Sequence, residues 1–129
     1  QRPLRSTAAT TPAPAAVDLN GRWRGAYTCS QGVTGVLLSI ITTPSRDLWA
    51  RFDFYAVATN PGVPSGSYLM RVTYTDGVAN FTAERWIDQP AGYGMANLTT
   101  RPRADQPNEL SGRVRLKGCT TFTVRRQIP

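Results

Sequence analysis

The chain predicts an all-β domain of about eight antiparallel strands, closed into a barrel or folded as a barrel-like sandwich. Three observations carry that expectation. From residue 21 onward, short runs rich in Val, Thr, Tyr, Phe and Trp are separated by clusters of Gly, Pro, Asn and Asp, with no stretch of helical period between them. The connections are short, so pairing each run with the next is the economical topology. The two cysteines, Cys29 and Cys119, end the first run and begin the last, which an up-and-down meander places at one end of the fold.

The runs span 21–29, 34–43, 48–58, 67–75, 78–87, 93–100, 109–117 and 119–126. The second, within "TGVLLSIITT", is apolar on both parities, as for a central strand covered on both faces or for a contact surface. In the third, Leu48, Ala50, Phe52 and Phe54 alternate with Trp49, Arg51, Asp53 and Tyr55, and the first set is expected to face the core. "TDG" at 75–77 is a hairpin signal between the fourth and fifth runs. The seventh alternates Leu110, Gly112, Val114 and Leu116 inward with Ser111, Arg113, Arg115 and Lys117 outward, which fixes its register. "TTRPRADQPNE" carries Pro102 and Pro107 and reads as a loop. Residues 1–16, rich in Ala, Thr and Pro, read as a disordered tail or linker, leaving 17–129 as a single β-domain.

In an open sheet the two cysteines would lie at opposite edges, whereas closure makes the first and last strands neighbours and brings the pair within bonding range. A disulfide is therefore expected. The alternative is two buried thiols in a reducing compartment. A disulfide points outside the cytoplasm, to an extracellular, periplasmic or cell-surface location.

Composition narrows the chemistry. With two cysteines and no histidine, zinc frameworks, Ser/His/Asp triads and Cys/His dyads are excluded. No metal or cofactor is expected. No apolar run approaches the roughly 20 residues of a membrane span, and no hydrophobic signal core precedes the fold. The net charge of +7 rests on 14 Arg and one Lys, and favours acidic partners without naming one.

The up-and-down count gathers "SQGV", "TNPGVPSG", "DQPAGYG" and "KGC" at the cysteine end. Gln31, Asn60, Tyr68, Trp86, Gln89 and Tyr93 are the candidate ligand-binding residues there, because stiff loops bearing aromatic and amide groups suit a sugar, peptide or small ligand. The competing reading makes Tyr68 and Trp86 core residues. A second surface follows from closure: Arg22, Arg24, Arg113, Arg115, Lys117 and Arg125 share an outward basic face, suited to an anionic polymer or cell-surface polyanion, or simply a solvated wall. No aromatics interleave with it, and sequence-specific nucleic-acid binding is not expected. A carboxylate-dependent hydrolase, such as a glycoside hydrolase, would have to draw on Asp53, Glu84 and Asp88, but no catalytic motif singles them out. The expectation is a non-catalytic extracytoplasmic binding or sensing module.

The opening "LNGRWRGAYTCSQG" resembles the Gly-x-Trp first strand of lipocalins and avidins, here Gly21, Arg22 and Trp23. Over residues 19–126, "GAYTCSQGVTG", "NPGVPSGSY", "RWIDQPAGY" and "GCTTF" resemble an uncharacterised β-domain found C-terminal in some bacterial signalling proteins, including kinases and caspase-like peptidases. That resemblance implies a bacterial, extracytoplasmic module attached to a signalling chain.

Overall fold

The computed structural model describes residues 17–128, so the tail expected over 1–16 lies outside the described residues. Those described form eight strands and no helix: β1 (Gly21–Cys29), β2 (Gly32–Thr42), β3 (Leu48–Tyr55), β4 (Gly66–Thr75), β5 (Val78–Asp88), β6 (Asn97–Thr100), β7 (Glu109–Arg115) and β8 (Cys119–Arg126). Each pairs antiparallel with the next, and β1 pairs with β8. The result is a closed up-and-down barrel, not a sandwich.

Period-two patterning builds it. The inward parity of successive strands supplies Trp23 and Tyr27, then Val36, Leu38 and Ile40, then Ala50, Phe52 and Phe54, then Tyr68, Met70 and Val72, all buried. Phe81, Leu98, Leu110, Val114, Phe122 and Val124 complete the filling from the remaining strands. Each large side chain removed from water contributes about 1.5–3 kcal/mol before chain entropy is counted. Outward positions carry Arg22, Arg24, Arg51, Arg71, Arg85, Arg113, Arg115 and Arg125, all exposed, the reverse of a lipid-facing apolar band. No helix among the described residues is long and apolar enough to cross a membrane.

On β2, the outer parity is only partly covered: Gly35 is buried beneath the Tyr55 ring and Val33, Leu37 and Ser39 are half-buried, while Ile41 is 60% exposed. The β4–β5 hairpin turns at Asp76 (φ 54°) and Gly77 (φ 77°), the two left-handed residues that a primed turn demands. Two β-bulges bend β5: Leu69 and Met70 pair with Arg85 and Ala83, leaving Glu84 extra, and Ser67 and Tyr68 pair with Asp88 and Trp86, leaving Ile87 extra.

Three elements differ from the sequence-based expectation. The third strand ends at Tyr55, and a Val57–Asn60 bridge turns the chain instead. The sixth begins at Asn97 rather than near residue 93, because the Tyr68 hydroxyl, not a strand partner, takes the Ala96 amide and carbonyl. Leu116, expected inside, is 41% exposed, because β7 stops at Arg115 and Leu116 lies at the rim of the open end.

One end is sealed. Trp23 is fully buried, donates from its indole Nε1 to the Leu19 carbonyl (2.9 Å), and lies beneath the Arg126 guanidinium, 4.2 Å from the ring centroid. Arg126 in turn donates to the carbonyls of Asn20 (2.6 Å), Asp18 (2.5 Å) and Pro107 (3.2 Å) and to Asn108 Oδ1 (3.0 Å). One planar cation thus ties β8, the 101–108 loop and the segment before β1 across the barrel floor. The opposite end is left for a site.

Candidate ligand site at the open end of the barrel

The Cys29–Cys119 disulfide forms at the open end, where the two residues face each other directly across β1 and β8. Their Cα atoms are 3.7 Å apart, closer than the usual span, beside a register shift between Tyr27 and Cys29. Backbone bonds extend the seam: the Ser30 amide donates to the Gly118 carbonyl at 2.6 Å.

Above the filled interior sits a half-open cavity of about 380 Å³. Tyr27, Phe54, Tyr68 and Tyr93 supply its aromatic walls, Gln31 an amide, and Cys29, Ala96 and Leu116 the rest of its side-chain lining. No charged side chain lines it. The aromatics form a continuous cluster: Phe52 stacks on Tyr68 (4.8 Å between centroids, 15° between planes) and Phe54 on Tyr93 (5.5 Å, 17°). Such pairs add about 0.5–1.5 kcal/mol each beyond burial and hold the rings in place before any ligand arrives.

The six ligand-site candidates divide by role. Gln31, Tyr68 and Tyr93 line the cavity. Trp86 stands behind them, edge-on to Tyr68 (5.2 Å) and Phe54 (6.2 Å), and is not among the lining residues. Asn60 braces the first hairpin, its amide donating to the carbonyls of Gln31 (3.2 Å) and Val33 (3.1 Å). Gln89 donates to the Tyr93 carbonyl (3.2 Å) and so shapes the loop that presents that ring. Tyr68 is 2% exposed and its hydroxyl is committed at both lone pair and proton: it accepts from the Ala96 amide (3.0 Å) and donates to the Ala96 carbonyl (3.1 Å). It offers a ligand ring surface only.

Sequence reasoning missed Tyr27 and Phe54. Both carried a usable signal: Tyr27 shares inward parity with Cys29 two residues on, and Phe54 is the last inward residue of β3 on the cysteine side. An inward aromatic at the cysteine end of its strand belongs to the mouth.

Burial pushes the Tyr27 phenol from 10.0 up to about 12, with the Thr34 hydroxyl pulling it back, and burial likewise raises Tyr68. At neutral pH both are uncharged. A raised native pKa gives stability that is fully present below the unfolded value and lost as pH climbs through the folded one. We therefore expect urea stability to fall between about pH 10 and 12, by on the order of 2–3 kcal/mol from Tyr27. Urea titrations across that window should give a shallower decline for Tyr27→Phe, and an unchanged decline would contradict the assignment.

No protein-family model, curated protein or solved structure matches the chain.

The other candidates lie away from the cavity. Asp53 is paired with Arg51 on the outer wall (3.1 Å), and Glu84 faces Arg71 at 3.8 Å. Asp88 is exposed at the end of β5, opposite Ser67. None of the three lines the cavity. Among the basic residues, Arg125 is paired with Glu109 (2.7 Å) and Arg24 donates to the Tyr55 hydroxyl (2.9 Å). Arg22, Arg113, Arg115 and Lys117 are exposed and make no ion pair among the described residues.

Proposed function

We propose that the protein is a non-catalytic extracytoplasmic binding or sensing module that takes a small uncharged ligand, or an uncharged part of a peptide or sugar, at the open end of its barrel. The carrying observation is the aromatic, charge-free mouth beside the disulfide, set on a filled barrel that holds it rigid. A carboxylate or phosphate entering it would lose hydration without meeting a cation. A ring with a flat apolar face gains stacking on Tyr93 and a hydrogen bond from Gln31 at little ordering cost, since both loops are already braced. The disulfide supports a location outside the reducing cytoplasm.

Two uncharged probes test this: N-phenyl-1-naphthylamine for apolar rings and diacetylchitobiose for sugar rings. Saturable binding of at least one is expected, weakened about ten-fold or more by Tyr93→Ala and little changed by salt. Failure of both probes to bind, or binding indifferent to Tyr93→Ala and Gln31→Ala, would remove the mouth as the site.

A further inference from the structure

On the outer wall, β6 and β7 form a second feature that the mouth does not involve. Thr99 pairs directly with Arg113, and Thr100 with Gly112, so Arg101 falls opposite Ser111 one step beyond the last ladder pair. Thr99, Arg101, Ser111 and Arg113 therefore make a two-by-two lattice on one face, the arginines on one diagonal and the hydroxyls on the other. Diagonal neighbours on an antiparallel pair are about 7–8 Å apart, near enough for two long guanidinium arms to reach one anion between them. The wall is concave here: a groove of about 360 Å³ is lined by these four residues with Val78, Thr100 and Gly112. Gly112 permits the crease, because a Cβ there would run into the Thr99 carbonyl, the Thr100 side chain and the Phe122 ring.

The charges around the groove are unbalanced. Of the carboxylates on the adjoining segments, Asp105 is paired with Arg103 (2.6 Å) and Glu109 with Arg125 (2.7 Å), which leaves Asp76, in the turn before Val78, outside any ion pair among the described residues. Arg101 and Arg113 make no ion pair among the described residues. Beyond Arg113, exposed Arg115 takes the next outward position and ends β7, and exposed Lys117 follows in the turn to β8. Along a strand that interval is about 6.6 Å. A cation column leading out of an oxyanion cradle suits a chain of anions, not a single one.

We infer that this wall binds a linear anionic polysaccharide, with one carboxylate or sulfate seated between Arg101 and Arg113 and the next on Arg115. The Thr99 and Thr121 hydroxyls, and those of Ser111 and Thr123, which share a hydrogen bond (3.1 Å), flank the column on adjoining strands and match the hydroxyls of a sugar chain. The outward positions of β6, β7 and β8 carry no aromatic ring on which a nucleic-acid base would stack.

Calorimetric titration with oligogalacturonate and with a heparin-derived oligosaccharide tests the carboxylate and sulfate forms, and a short oligothymidylate of matched charge serves as the competing polyanion. Binding of at least one saccharide is expected, falling steeply with added salt. The pair Arg101→Gln and Arg113→Gln should weaken it about a hundred-fold, roughly ten-fold for each charge-assisted contact. Arg46→Gln with Arg51→Gln, which removes as many positive charges away from the groove, should change it less than about three-fold by bulk charge alone. Equal weakening by the two doubles, no effect of the groove double, or tighter binding of the oligothymidylate would each overturn the inference. Mouth variants such as Tyr93→Ala leave this binding intact, so the two sites fail separately.

Discussion

Reducing the Cys29–Cys119 disulfide, or replacing both residues with serine, is expected to destabilise the domain by roughly 4–5 kcal/mol and lower its melting temperature by about 15–25 °C. The bond joins residues 90 apart in sequence, so its loss frees the unfolded chain from a constraint spanning nearly the whole barrel. It also unties the β1–β8 seam at the mouth, where only a few backbone bonds such as Ser30 to Gly118 would remain. Binding at the mouth should therefore weaken before the barrel melts. Thermal melts with and without reductant, with probe titrations at a temperature where both forms stay folded, measure the two effects. A reduced form with unchanged melting temperature would mean that ladder pairing alone closes the barrel.

Arg126→Ala is expected to cost about 3 kcal/mol although its side chain is not fully buried. Four hydrogen bonds and the stack on Trp23 are lost together, and the carbonyls of Asp18, Asn20 and Pro107 must find water or stay unpaired. Arg126→Lys should recover less than half of that, since an ammonium cannot spread planar donors over three segments while covering an indole. Trp23→Ala, which empties the centre of the floor, should cost about 3–5 kcal/mol. Urea denaturation followed by circular dichroism reads all three. If lysine restores full stability, the floor is held by charge alone and the planar geometry assigned to Arg126 is wrong.

Arg126 shows where sequence reasoning stops. Its parity is inward, yet nothing in "TVRRQIP" distinguishes it from Arg125, which points out and pairs with Glu109. The difference lies in what each meets: Trp23, Asn108 and the 17–20 segment are brought to Arg126 only when β8 pairs with β1 and the 101–108 loop crosses beneath. Similarly, the residues expected to share a basic face on β1, β7 and β8 meet different neighbours. Arg24 is drawn to Tyr55 and Arg125 to Glu109, while Arg101, which lay in a stretch read only as a loop, joins Arg113 across the β6–β7 pair.

The sequence by itself determined the eight-strand meander, the inward parities of β3 and of β7 as far as Val114, the Asp76–Gly77 turn and the end of the fold at which the cysteines meet. These depend on neighbours two residues apart or on turn chemistry, which the chain carries locally. Only the tertiary structure decided barrel over sandwich, the boundaries of β6 and β7, and which aromatics line the mouth and which stand behind it. Each of those turns on a partner distant in sequence: Tyr68 holds Ala96 in place of a strand neighbour, and Phe54 meets Tyr93 from a loop. Periodicity states which way a side chain points, and closure of the sheet decides what it meets there.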